Sequence, residues 1–295
     1  AAFTAATMLI SFGATAAEGI FSKRIKPNGN KIIENRQSAM RFDKISVSNC
    51  VHLTISDRRD GDILVRTDEN IMPYVNMEVR DGSFRAWLDN TQIFEGDIRV
   101  EVEMPYNGLI RDITVSGASS VNIIPTLEAG EVELSATGAS RITTKVRANS
   151  VEVDLTGASA AKLNIETVQL ELSASGSSSL NILSANCREC EIDATGASKI
   201  TGAITTSKCE CDASGASKIS LTGSAHSAEF DISGASKLSA SDFMTDICDI
   251  EASGASAAYI NCTTTLRAES SGSSKIGYSG NCRVNVSSDS IFKQK

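Results

Sequence analysis

Carboxylates recur along this 295-residue chain at a nearly constant interval. Glu133, Glu152, Glu171, Glu191, Glu210, Glu229 and Asp249 form one series, and Asp154, Asp193, Asp212, Asp231, Glu251 and Glu269 form a second, two residues further on. Paired carboxylates serve glycoside hydrolysis, as acid with base or nucleophile, and they ligate hard divalent cations through oxygen. Glu210, Asp212, Glu229 and Asp231 are the candidate set for a weak divalent-cation site; no organic cofactor is expected. A glycosidase needs one distinct pair, whereas these acids recur in unit after unit, which marks a repeated surface position. Arg141, Lys199, Lys218, Lys237 and Lys275 form a basic series at the same interval and are expected to neutralise the acids in part. Like carboxylates about 4.8 Å apart repel by roughly 0.9 kcal/mol in water, so an acidic column calls for cations or a basic partner.

Nucleophilic chemistry has little support. Ser119, Ser140, Ser159, Ser178, Ser198, Ser217, Ser236, Ser256 and Ser274 each lie two residues after a glycine, yet none completes G-x-S-x-G. Only His52 and His226 could act as an imidazole base. These serines are expected to satisfy backbone groups at turns. Eight cysteines stand at 50, 187, 190, 209, 211, 248, 262 and 282. Cys187-x2-Cys190 with Cys209-x-Cys211 has the spacing of a four-thiolate zinc site, but Cys190, Cys209 and Cys248 occupy slots where other units carry Val or Leu. Buried thiols, a disulfide such as Cys190 with Cys209, and a metal site all remain open.

The elements that position these groups follow from a tetrapeptide, [ST]-G-[AS]-S. Its glycines are Gly117, Gly138, Gly157, Gly176, Gly196, Gly215, Gly234, Gly254 and Gly272, 18 to 21 residues apart. Six, four and two residues before the glycines lie mostly apolar or small side chains, as in Val132, Leu134 and Ala136, while the acids fall between them. That alternation is a strand with one face inward. Apolar residues four and six after the glycine, such as Leu180 and Ile182, predict a second strand, followed by about seven variable residues that can form a short third side. One such unit cannot bury its inward row alone, whereas stacked units share a core. The chain is therefore expected to be all-β, a parallel β-helix with coils of about 19–20 residues, right-handed as parallel crossovers are. Glycine suits the corner through positive φ, and Asn49, flanked by Ile45, Val47, Leu53 and Ile55, is an earlier corner of the same kind.

Composition bounds the function. A net charge of -8 and pI near 5.0 disfavour nucleic acid as a partner, and no apolar run is long enough for a transmembrane segment. Residues 1–17 are uncharged, mildly apolar and end in Ala14-Thr15-Ala16, the pattern of a signal-peptide remnant, so the chain is expected to be exported to the periplasm, outer membrane surface or exterior. Residues 18–295 then form a single β-helix domain, with irregular coils over 18–110, regular coils over 111–285 and a C-terminal end over 286–295. Trp87, Phe84, Phe94, Tyr74 and Tyr106 cluster in the irregular part, where a ligand groove would be sought if they do not simply pack a core.

The chain resembles the putative auto-transporter adhesin, head GIN domain family of secreted bacterial proteins. The resemblance rests on Phe42-Asp-Lys-Ile-Ser-Val-Ser48, Asp68-Glu-Asn-Ile-Met-Pro-Tyr74, Val79-Arg-Asp-Gly-Ser83, Val102-Glu-Met-Pro105 and the repeated Ser-Gly-Ala-Ser corners. It implies a right-handed β-helix with no catalytic motif, exported and adhesin-like, with an unknown protein or glycan partner. The alternative is a polysaccharide-binding or polysaccharide-cleaving β-helix. Asn49-Cys50 departs from the usual Gly-Ala corner.

Overall fold

A computed structural model describes residues 24–37, 41–286 and 290–294; the signal-like segment 1–17 lies outside them. The chain winds as a parallel β-solenoid. Within one coil, strand Glu131–Ala136 leads into the Gly138 corner, strand Arg141–Arg147 leaves it, and Ser150–Leu155 begins the next coil. Each strand pairs with its equivalent one coil away, as in Val132↔Val151, Leu134↔Val153 and Ala136↔Leu155. Two ladders result, a wall before the corner and a wall after it.

The corner glycines hold φ between 70° and 76°, in the left-handed region that suits residues without a Cβ. A second constraint comes from stacking: a Cβ on Gly215 would lie 2.8 Å from the carbonyl oxygen of Gly196. The backbone ladder runs unbroken through the turn, with Ala216 N donating to Gly196 O at 2.7 Å. Asn49 (φ 57°) and Cys50 (φ 64°) make the corner beneath Gly117, as the sequence suggests.

The variable stretch is also paired. Thr126–Glu128 sits on Lys145–Arg147 after a register shift, and from Lys199 onward the strand runs through it without interruption, as in Lys199–Ala213 and Lys218–Ile232. Inward residues of every coil form one core, with Phe230, Phe243, Ile200 and Leu238 fully buried.

The N-terminal segment is not the succession of irregular coils expected from its alternation. Lys44–Ser48 and Val51–Ser56 form a coil lying between Ser83–Leu88 with Val100–Pro105 on one side and Asp112–Val115 with Ser120–Glu128 on the other. The first coil to form in sequence is therefore the second level; from it the chain descends to build the end coil and climbs back. Antiparallel strands continue the two walls beyond that end: Val75–Arg80 on Ser83–Leu88, and Lys31–Arg36 on Ile63–Asp68 on Val100–Pro105. The first is a hairpin closed by Asp81 (φ 51°) and Gly82 (φ 74°), the two-residue turn that matches strand twist. Phe84 is fully buried there against Phe42, with ring centroids 5.3 Å apart, whereas Trp87 is half-buried. At the other end, Arg283–Val286 and Ile291–Lys293 pair with Thr265–Ala268 and Ile276–Tyr278.

Candidate functional site

The acidic series falls on the outer face of the wall before the corner. Glu133, Glu152, Glu171, Glu191, Glu210, Glu229 and Asp249 stand in direct register, each opposite the next. Beside them runs the row Asp193, Asp212, Asp231 and Glu251. Both rows face outward because their neighbours two residues apart, such as Cys209, Cys211 and Ala213, are committed to the core. The electrostatics follow from that stacking. Partial burial, then the charges of Asp154 and Glu171, raise the pKa of Glu152. Glu191 is raised by burial, then by Glu171, Asp193 and Glu210, and Asp212 by burial, then by Asp193 and Asp231.

Cations reach this wall at few points. Lys208 Nζ lies 3.2 Å from Glu210, and Arg267, which follows Asp249 in the column, pairs with Asp249 at 3.3 Å and with Glu269 at 2.8 Å. The lysine series does not contribute. Lys199, Lys218 and Lys237 stack in register on the wall after the corner, and among the described residues none of them forms an ion pair. Lys237 instead lies 5.7 Å from the centre of the Tyr259 ring. The expected mutual neutralisation fails because the turn aims the two series at different faces. Two walls of opposite sign thus flank a ridge of glycine, alanine and serine.

Glu210 and Asp212 sit opposite Glu229 and Asp231, so the four candidate cation ligands do share a surface. Among the described residues, however, no three His, Cys, Asp or Glu side chains converge in an arrangement that could hold a metal ion. A shallow groove on this wall is lined by Glu171, Glu189, Glu191, Lys208 and Glu210.

The corner serines point inward and are buried. Four hydroxyls donate to carbonyls of the preceding coil, including Ser140 to Val115 at 3.1 Å and Ser274 to Ala252 at 2.9 Å. Those of Ser119, Ser159, Ser178, Ser198 and Ser217 have no hydrogen-bond partner among the described residues. The histidines lie elsewhere. His52 Nδ1 is 2.8 Å from Ser120 Oγ, and burial, then Arg99, lowers its pKa. His226 Nδ1 is 3.0 Å from Asp246 Oδ2, while Thr263 donates to the other oxygen at 2.9 Å. Sequence reasoning missed both pairs, because each joins residues one coil or more apart whose register had to be known first.

A family model described as "Putative auto-transporter adhesin, head GIN domain" matches residues 41–201 and again 186–282. The chain belongs to this family. The two head GIN domain matches overlap over 186–201, less than one coil, and together they span the described solenoid from the strand before Asn49 almost to its last coil. One solved structure agrees in fold. A putative adhesin from Parabacteroides merdae ATCC 43184 is 16% identical, covers 92% of this chain and 99% of its own, and superposes with a TM-score of 0.50. From Parabacteroides distasonis ATCC 8503, a putative adhesin (19% identical, covering 92% of this chain and 98% of its own, TM-score 0.48) and a putative lipid binding protein (18%, 92% and 100%, TM-score 0.46) are also similar. No curated protein matches the chain. Among the described residues of this head GIN domain protein, no helix is long and apolar enough to cross a membrane.

Proposed function

We propose that this chain is an exported, non-catalytic binding module whose acidic wall engages a cationic partner, a basic protein segment or an amino-bearing glycan. The observation that carries the reading is the register of seven carboxylates in one column, with cations meeting it at Lys208 and Arg267 and, past Glu133, at Lys44 through Asp112. A rigid row of like charges at about 4.8 Å intervals attracts an extended partner of opposite charge and aligns it along the solenoid axis. The family description, an adhesin head, agrees with a surface that binds and does not turn over. A polysaccharide-cleaving role has less support, since no carboxylate pair on this wall stands apart from the others.

The test compares the full chain with a variant carrying Glu191→Gln, Glu210→Gln, Asp212→Asn, Glu229→Gln and Asp231→Asn. Binding of an oligolysine, a chitosan oligomer and a neutral glucan would be followed by calorimetry at two salt concentrations. The parent should bind a cationic probe with salt-sensitive affinity, and the variant should lose at least about tenfold. Equal binding by parent and variant, or preference for the neutral glucan, would sink the proposal. Calcium at matched ionic strength should compete through Glu210, Asp212, Glu229 and Asp231; competition undiminished in the variant would place any cation elsewhere.

A further inference from the structure

We propose that Cys190 and Cys209 form a disulfide stapling two successive coils beneath the acidic wall, and that Cys187 is the entry thiol through which an external disulfide oxidises them. Cys190 sits directly opposite Cys209 in the parallel ladder, and both point into the core, 3% and 0% exposed. Neighbours on adjacent parallel strands have Cα atoms about 4.8 Å apart, inside the range that disulfides span. The Cys190 thiol interacts electrostatically with both Cys187 and Cys209, so the three thiols are neighbours. In the ladder Cys211 faces Ile192 and Phe230, Cys248 faces Ala228 and Leu266, and Cys262 faces Thr245, its thiol neighbour being Cys282 on the following coil.

Cys187 lies at the turn between Ser179–Asn186 and Glu189–Ala194, held by its N–H to Thr205 O at 3.1 Å. At 8% exposed it is the least covered of the three. The neighbouring Cys190 thiol, then Thr206, lowers its pKa to about 7, while Cys187, then Cys209 and burial, drive Cys190 upward. Cys187 is therefore the thiolate near neutral pH, the form that attacks disulfides.

The oxidation balances as three exchanges. Cys187 thiolate attacks a low-molecular-weight disulfide such as oxidised glutathione, forming a mixed disulfide and releasing one thiolate. Cys190 attacks the Cys187 sulfur, expelling the second small thiolate, which takes up the Cys190 proton. Cys209 then attacks Cys190, and Cys187 leaves as a thiolate while the Cys209 proton passes to solvent or to a released thiolate. Its low pKa makes it the better leaving group. Two protein thiols are oxidised, and one external disulfide is reduced to two thiols. The bond ties together the coils bearing Glu191 and Glu210, where carboxylate repulsion pushes them apart.

Tryptic peptides separate the three sulfurs: Cys187 falls in 163–188, Cys190 in 189–199 and Cys209 with Cys211 in 209–218. The full chain would be incubated with oxidised glutathione at neutral pH, quenched by alkylation and mapped without reduction. The expected product joins 189–199 to 209–218, persists in Cys211→Ser, disappears in Cys209→Ala and raises Tm by several degrees over the reduced chain. Alanine already fills the matching slot one coil on, at Ala228, so Cys209→Ala keeps the fold. Cys187→Ser should give the same product at least about tenfold more slowly. A final Cys187–Cys190 bond, a stable glutathione adduct on Cys187, or no cross-link would overturn the staple; an unchanged rate in Cys187→Ser would overturn the entry role.

Discussion

In the N-terminal segment carboxylates meet cations; along the acidic wall of the regular coils most meet other carboxylates. Asp43 pairs with Arg111 at 2.8 Å, Asp60 with Arg58 at 2.7 Å, and Asp68, whose side chain is only 2% exposed, with Lys31 at 2.7 Å and the Gly29 N–H at 2.6 Å. All three are held below the usual carboxylate range, first by those side-chain hydrogen bonds. Glu152, Glu191 and Asp212 are pushed the other way. The contrast is a consequence of repetition. A position that recurs in each coil has its own chemistry as neighbour above and below, which suits leucine and penalises glutamate. A segment used once can choose complementary partners. The coils owe their stability to the inward columns and carry the acidic wall as a cost, whereas the N-terminal segment closes the end of the core with contacts that nothing duplicates.

That contrast is most exposed to a break in the cap. Phe84→Ala removes a fully buried ring from the closing hairpin and should cost about 3–5 kcal/mol by chemical denaturation. A loss below about 1 kcal/mol would mean that the cap is dispensable. Within the coils, Ala213 is 2% exposed between Ala194 and Ile232, so Ala213→Phe should overpack the core by about 1–3 kcal/mol, while Lys218→Ala on the outer face should cost under about 1. Equal losses would refute the assigned facing.

The smallest effect is opposite in sign in the two regions. Asp43, Asp60 and Asp68 bind protons less tightly folded than unfolded, so their contribution is present above about pH 4 and is lost as pH falls through their depressed values. Glu152, Glu191 and Asp212 bind protons more tightly folded, so their penalty at neutral pH is relieved as pH falls through their raised values and is gone below the unfolded ones. Hydrogen exchange across the acid range should show the coils gaining protection relative to the cap on the way down to about pH 4, and the cap losing it below. Glu191→Gln should raise stability at neutral pH by about 0.5 kcal/mol, with the gain vanishing in acid. A gain that persists in acid would show that repulsion is not its source.

The repeat made the coils legible. Apolar period, outward acids and all nine glycine corners follow from spacing alone, and Asn49 follows from the tolerance of asparagine for positive φ. The N-terminal order was not legible. Alternation assigns a face, but it is identical for parallel and antiparallel strands, so Ile63–Asp68 reads the same whichever way it runs. Asp81-Gly82 between two alternating runs was the available signal for a hairpin. At the candidate site, the columns could be read, but their pairing could not. Whether Lys218 reaches Asp212 depends on the angle of the corner between them, which spacing does not contain. The histidine pairs likewise emerge only from three-dimensional register, whereas Lys208 and Glu210, two residues apart on one strand, share a face that alternation already gives.

The unbroken backbone ladder through the corners also governs how such a molecule changes length. Deleting residues 196–214 would set Gly215 onto Gly176, restore every column and shorten the solenoid by about 4.8 Å. Removing five or ten residues would leave a corner above a strand and inward rows above outward ones. Size in this architecture is therefore quantised, and each quantum removes or adds one rung of carboxylates. Reach and charge are tied to a single integer, the number of turns.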